Sequence, residues 1–194
     1  VYINGQKVGY WPYGYNSFHF DITKYLKPGE KNTLAVRLEN LPESSRWYPG
    51  AGLYRNVHLI ITEDAYIPVW GTYITTPSVN EKFAKVNVRT KVVLPEGADP
   101  AKYSMETSVW NPNKQKLTAV RTSLAQMKYN NNQAEQEFVI QAPSLWSPEM
   151  PALYSAETRL YEGDKLKDIY TTPFGIRSIE IIPDKGFFLN GKRT

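Results

Sequence analysis

The sequence predicts an all-β chain built as a partial first β-sandwich followed by a complete second one of immunoglobulin-like form. Two Asn-Gly pairs, Asn4-Gly5 and Asn190-Gly191, lie between short apolar runs. A two-residue type I′ hairpin turn needs positive φ at both positions, and Asn-Gly adopts that conformation cheaply. Apolar residues alternate with polar ones over most of the chain, the period of half-buried strands. In the second half, turn residues recur at the spacing that separates the short strands of a sandwich.

Taken in order, Asn4-Gly5 joins the apolar run 1–3 to residues 7–10. Phe18, Phe20 and Ile22 then share one face of a predicted strand, Leu34, Val36 and Leu38 one face of a second, and Val57, Leu59 and Ile61 one face of a third. His19 and His58 fall opposite those apolar residues, with no carboxylate or serine motif nearby, and read as surface or interface histidines. Residues 23–26, stopped by Pro28-Gly29, carry the one helix-like signal. From Tyr66 the alternation restarts and predicts seven strands over 69–75, 83–93, 103–110, 117–124, 134–140, 153–161 and 166–176. Pro95-Glu96-Gly97, Asn111-Pro112-Asn113, the cluster Asn130-Asn131-Asn132 and Glu162-Gly163-Asp164 separate them. A unit of about 110 residues is the size of a whole domain, whereas the preceding stretch is only part of one. The predicted boundaries are 1–65, 66–182 and 183–194.

Composition narrows the function classes. A chain that is 41% hydrophobic and 13% aromatic can pack cores, so disorder is not expected. The formal charge of +4 arises from Lys and Arg interleaved with Asp and Glu, without a basic run, which argues against nucleic acid. Cysteine is absent, which removes disulfides, thiolate nucleophiles and zinc-thiolate sites. No apolar run reaches the roughly 18 residues that cross a bilayer, so no membrane partner is expected. Val1 opens inside a predicted hairpin without an initiator Met, and the natural amino terminus is expected upstream, which leaves localisation open.

The densest chemistry lies in SRWYPGAGLYRNV, residues 45–57, where three aromatics, two arginines and two glycines occupy one loop before a predicted strand. An aromatic plane beside a guanidinium can stack on a sugar ring while hydrogen-bonding its hydroxyls. The stretch resembles the sugar-binding domain of the family 2 glycoside hydrolases, the β-galactosidase and β-glucuronidase family. LWSPEMPALY at 145–154 is similar to that family's turn into the last strands of its second domain. FGIRSIEI at 174–181 and GFFLNGKR at 186–193 are similar to its exit toward a catalytic barrel.

The resemblance implies that residues 1–65 are the C-terminal part of a galactose-binding-like jelly roll, that 66–182 form the immunoglobulin-like domain and that 183–194 begin the barrel. It implies a non-catalytic accessory portion of a retaining enzyme, most simply a β-galactosidase, whose barrel carries acid and nucleophile. The expected partners are a carbohydrate substrate and the barrel of the same chain, with self-association of the uncovered first unit. No cofactor is expected within these residues, and the resemblance leaves room for a divalent or sodium ion in the barrel. Arg46, Trp47, Tyr48 and Arg55 are the candidate site residues, either beside the sugar or packed on the barrel. In some members an acidic side chain of this loop reaches the sugar, and Arg46 stands in its place here.

The remaining candidates read as structure. Asn80-Glu81 imitates the Asn-Glu pair that holds the family's acid/base, but it lies in a predicted turn between sandwich strands. Ser44 and Ser45 lack nucleophile-elbow glycines and shape the loop. Trp146, Pro148 and Pro151 suit a plug at one end of a sandwich, and Arg177 and Glu180 suit a domain interface. The alternative to the enzyme reading is a stand-alone carbohydrate-binding or adhesion module of tandem sandwiches.

Overall fold

The computed structural model describes residues 1–43, 50–126 and 132–194, and its contacts divide the chain into two compact units, Val1–Ile60 and Ile61–Thr194. In the first unit β1 (Tyr2–Ile3) pairs antiparallel with β2 (Gln6–Lys7) and with β3 (Leu34–Ala35), giving the order β2-β1-β3. Asn4 at φ 51° and Gly5 at φ 80° make the expected turn. The asparagine has a second use, because its side-chain Nδ2 donates to the Tyr25 carbonyl at 3.0 Å and to Asn32 Oδ1 at 2.8 Å, while its Oδ1 accepts from Thr33 N at 3.0 Å. A 3-10 turn, Thr23–Tyr25, is opened by Asp21, whose Oδ1 accepts from Thr23 N at 2.8 Å. Bonds from the Thr23 side chain and backbone hold the Asp21 carboxyl below its ordinary pKa.

Of the three expected strands, the one around Leu34 forms only over Leu34–Ala35 as β3, and the other two do not form among the described residues. Residues 18–22, 36–38 and 57–61 have no ladder partner among the described residues, so period-two patterning there is not accompanied by sheet. A strand needs a neighbour for its N–H and C=O groups as well as an apolar face. Leu34, at 51% exposure, and the run Val57, Leu59, Ile60 and Ile61, at 60–85%, are accordingly left open to solvent. His19 and His58 are exposed as expected, but on irregular backbone.

All seven predicted strands of the second unit form. They are β4 (Thr72–Val79), β5 (Phe83–Lys91), β6 (Tyr103–Trp110), β7 (Lys116–Ser123), β8 (Gln133–Gln141), β9 (Tyr154–Glu162) and β10 (Lys165–Phe174), arranged in antiparallel sheets β4-β5-β8 and β10-β9-β6-β7. The first of them starts three residues later than its pattern suggested, because Trp70 at φ 57° and a Gly71 N–H to Pro68 O bond of 2.7 Å make a turn there. It also runs through Pro77, at a register shift between Thr75 and Ser78 where a residue without an N–H breaks no ladder bond.

Inward residues of both sheets meet in the core. Val86, Val88, Phe138 and Ile140 pack with Val109, Tyr154, Ala156 and Phe174, and a second cluster joins Ala65, Val92 and Ala134 to Tyr103, Met105, Leu124 and Leu160. Each large side chain so buried contributes about 1.5–3 kcal/mol. Thr107 and Thr158, both fully buried, satisfy each other across β6 and β9 at 3.0 Å.

After β10 a meander of β11 (Ile179–Ile182), β12 (Gly186–Leu189) and β13 (Lys192–Arg193) forms a third sheet. The position 182/183, proposed from the sequence as a domain boundary, falls in its first turn. Asn190 at φ 51° and Gly191 at φ 75° make the second type I′ turn. Asn190 repeats the double use of Asn4, with Nδ2 donating to the Trp146 carbonyl and Oδ1 accepting from Ser178 N, each at 3.0 Å. Trp146 is held further by its N–H to Ile176 O at 2.8 Å and by the Arg177 guanidinium 4.9 Å from its ring centre. A Cβ on Gly175 would come within 2.9 Å of the Trp146 Cβ and Cγ, so only glycine fits beneath this indole. These contacts give Trp146 a packing role.

Segment 63–67, which leads into β4, is fastened to β10. Lys167, only 6% exposed, places Nζ 2.6 Å from Glu63 Oε2, 2.9 Å from Asp64 Oδ1 and 3.7 Å from Glu162 Oε2. Lys165 adds a 3.2 Å contact to Glu63, Ile67 N–H donates to Asp168 Oδ2 at 2.8 Å, and Tyr66 forms a bridge with Val93. Hydrogen bonds from Lys167 hold Glu63 and Asp64 below their ordinary pKa values, Lys165 adding to the effect on Glu63, and the Lys167 pKa is raised by Glu63 and then Asp64.

A depressed carboxylate contributes stability above its ordinary pKa and loses it as pH falls through the folded value; a raised ammonium contributes below its ordinary pKa and loses it as pH rises through the folded value. The clamp is therefore expected to hold between the ordinary carboxylate values of 3.8–4.5 and the ordinary lysine value of 10.5. At neutral pH, Lys167→Met leaves three carboxylates facing one another and is expected to speed amide exchange of residues 63–67 by about an order of magnitude. Unchanged exchange in that variant, read by mass spectrometry, would show that backbone pairing alone fixes the segment.

Candidate functional site

The sequence placed the site in the loop between residues 44 and 57. Ser44, Ser45, Arg46, Trp47 and Tyr48 lie outside the described residues. Of the predicted site residues Arg55 is described, with its guanidinium 5.2 Å from the ring centre of Tyr54, which is 64% exposed. The guanidinium thus packs over an exposed aromatic ring in a cation–π contact. Gly50 and Gly52 stand at φ values open to any residue, and a Cβ on either would meet nothing within 4 Å. Nothing described within the chain requires glycine at these two positions, and close approach by something outside it would.

Among the described residues, the other titratable groups do not assemble an acid and a nucleophile. Glu81 is exposed in the β4–β5 hairpin, whose turn is closed by Asn80 Oδ1 accepting from Lys82 N at 2.8 Å and Phe83 N at 2.9 Å. The Asn-Glu pair is thus a turn device. Glu157 borders an open hollow of about 250 Å³ with Trp110, Lys114, Ser155 and Thr171, and its Oε1 accepts from Arg159 Nε at 2.9 Å. Tyr103, pushed up by burial and then by Glu162, donates to that carboxylate at 3.4 Å. Arg177 covers Trp146 and Glu180 is exposed on β11. Among the described residues no cluster of His, Asp or Glu is placed to hold a metal ion.

Sequence reasoning missed two features. The Lys167 cluster draws on positions about a hundred residues apart and leaves no local trace. The aromatic loop 10–20 did leave one, a run of six aromatic residues in eleven without a Lys, Arg, Asp or Glu.

Comparison with known proteins gives a consistent result. The family model described as glycosyl hydrolases family 2 matches residues 66–177. The whole chain is 39% identical to 23% of the β-galactosidase BoGH2A of Bacteroides ovatus, and 99% of it is 34% identical to 29% of a β-glucuronidase of Bacteroides fragilis. Among solved structures, a family 2 member from Bacteroides cellulosilyticus superposes with a TM-score of 0.86 at 34% identity, over 98% of this chain and 26% of that one. A β-glucuronidase from Bacteroides uniformis gives 0.78 at 30% identity, over 98% and 24%. The chain therefore spans about a quarter of the length of these relatives. The match of the family model over residues 66–177, more than half of the chain, leads to one conclusion: the chain belongs to family 2 of the glycosyl hydrolases.

Proposed function

We propose that this chain is the accessory portion of a retaining β-galactosidase-like hydrolase. In the parent a barrel supplies the acid and the nucleophile, and the loop 44–55 walls one side of the substrate pocket. The observation that carries the reading is the full-length alignment of these residues with a β-galactosidase of which they match only 23%. The exposed Arg55–Tyr54 pair and the unconstrained Gly50 and Gly52 support a surface that receives a ligand or a neighbouring domain. Domain limits of 1–65, 66–182 and 183–194 belong to the same proposal.

The test uses the full-length parent. Arg46→Ala and Trp47→Ala are each expected to lower kcat/KM on an aryl β-galactoside by about tenfold, ~1.4 kcal/mol of transition-state stabilisation, while Tm stays nearly constant. If Trp47→Ala instead lowers Tm by several degrees and spares the kinetics, the loop packs against the barrel. A parent more active on a β-glucuronide than on a β-galactoside would replace the substrate and keep the architecture.

A further inference from the structure

A polar layer crosses the core of the second unit. Side chains two apart on a strand share a face, and on each central strand a polar residue stands between one member of each apolar cluster. Val88 and Val92 flank Thr90 on β5, Phe138 and Ala134 flank Gln136 on β8, Val109 and Met105 flank Thr107 on β6, and Ala156 and Leu160 flank Thr158 on β9. All four polar residues are buried. Thr72 and Thr172 extend the layer onto β4 and β10, where their hydroxyls hydrogen-bond each other. The burial arises inside one sandwich, so it does not depend on what adjoins the chain.

Two atoms of this layer have no hydrogen-bond partner among the described residues, Thr90 Oγ1 and Gln136 Oε1, and both are sealed from solvent. Gln136 donates from Nε2 to the Met105 carbonyl at 3.3 Å and to the Val120 carbonyl at 3.0 Å, on β6 and β7 of the facing sheet. Since both partners are acceptors, the amide nitrogen is fixed on that side and Oε1 is turned away from it. The register sets Thr90 opposite Ala134 and Val88 opposite Gln136. Thr90 and Gln136 are therefore diagonal neighbours on one face, roughly 7–8 Å apart along the backbone, and Ala134 beside them contributes only a methyl. The Thr107–Thr158 bond of 3.0 Å uses one of its two hydroxyl protons, which leaves the layer a further donor. An acceptor buried without a donor is costly, and a polar site with two to four partners retains water where an apolar one stays dry. We infer that Thr90 Oγ1 and Gln136 Oε1 hold one buried water molecule between the two apolar clusters. The water donates to Gln136 Oε1 and accepts from the Thr90 hydroxyl. Through the Gln136 amide it links sheet β4-β5-β8 to β6 and β7.

A crystal structure of this chain, or of its full-length parent, at a resolution that orders internal water tests the site directly. One water is expected at roughly 2.7–3.2 Å from both oxygens. A Thr90 hydroxyl bonded straight to the Gln136 amide, or no density between the two, would overturn the inference. In solution, oxygen-17 relaxation dispersion counts the long-lived internal waters of the chain. Thr90→Val replaces one hydroxyl by a methyl at nearly constant shape and should lower that count by one, with the strands of the second unit intact in the amide spectrum. An unchanged count in the folded variant would show that no water depends on Thr90 and would overturn the site. Should the variant not fold, the wild-type crystal structure decides the matter alone.

Discussion

Purified by itself, the 194-residue chain is expected to release no nitrophenol from an aryl β-galactoside or β-glucuronide above the buffer rate. Retaining hydrolysis needs a protonated carboxylic acid and a nucleophilic carboxylate roughly 5–5.5 Å apart, and the acid must have its pKa raised to remain protonated near neutrality. The resolved displacements among the described carboxyl groups all run the other way: Asp21, Glu63, Asp64 and Glu149 are held down by hydrogen bonds to Thr23, to Lys167, again to Lys167, and to Glu149's own backbone together with Ser147. Among the described residues, carboxylates gather around Lys167, whose hydrogen bonds hold Glu63 and Asp64 below their ordinary pKa values and tie them to a structural cation. Since glycosidases and other enzymes accelerate their reactions by about 10⁶-fold or more, the contrast with a complete parent is large. Turnover that survives removal of host enzymes and disappears on Glu81→Gln would overturn this expectation and make the hairpin glutamate an acid.

Leu160→Ala is expected to destabilise the second unit by about 3 kcal/mol. Leu160 is fully buried on β9 among Tyr103, Met105 and Leu124, so truncation loses its transfer free energy and leaves a cavity that two paired sheets cannot easily collapse. The melting transition of that unit should fall by roughly 10 °C. Leu59→Ala removes an equally large side chain that is 70% exposed, and should change stability by no more than about 0.5 kcal/mol. Equal losses from the two substitutions, read by thermal denaturation, would mean that Leu59 is covered in solution, by self-association or by another part of the parent.

These two leucines show where sequence pattern was informative. Both stand in an apolar alternation, yet one lies in a ladder and the other does not. For β5, β6, β8 and β9 the pattern, the turns and the residues agreed, because each strand finds its antiparallel neighbour within the same unit. Around Phe18 and Leu59 the alternation was equally clear, but the described residues provide no strand to pair with, and around Val36 pairing stops at Leu34–Ala35. Similarly, Arg55 could be picked out as a guanidinium beside an aromatic, since its partner Tyr54 is adjacent. The Lys167 cluster could not, because it takes Glu63 and Asp64 from one segment and Glu162 from another.

The sequence by itself determined the β class, both type I′ turns, the seven strands of the second unit and the family, since each of these depends on the order of neighbouring residues. Only the tertiary structure decided what those residues hold. It turned Asn4 and Asn190 from turn formers into stitches to Asn32 and Trp146, made Gly175 the space for an indole, and tied the segment 63–67 to β10. Backbone conformation is set over a few positions by sterics and periodicity. A hydrogen bond or ion pair between residues tens of positions apart exists only once sheet register has brought them within 3 Å.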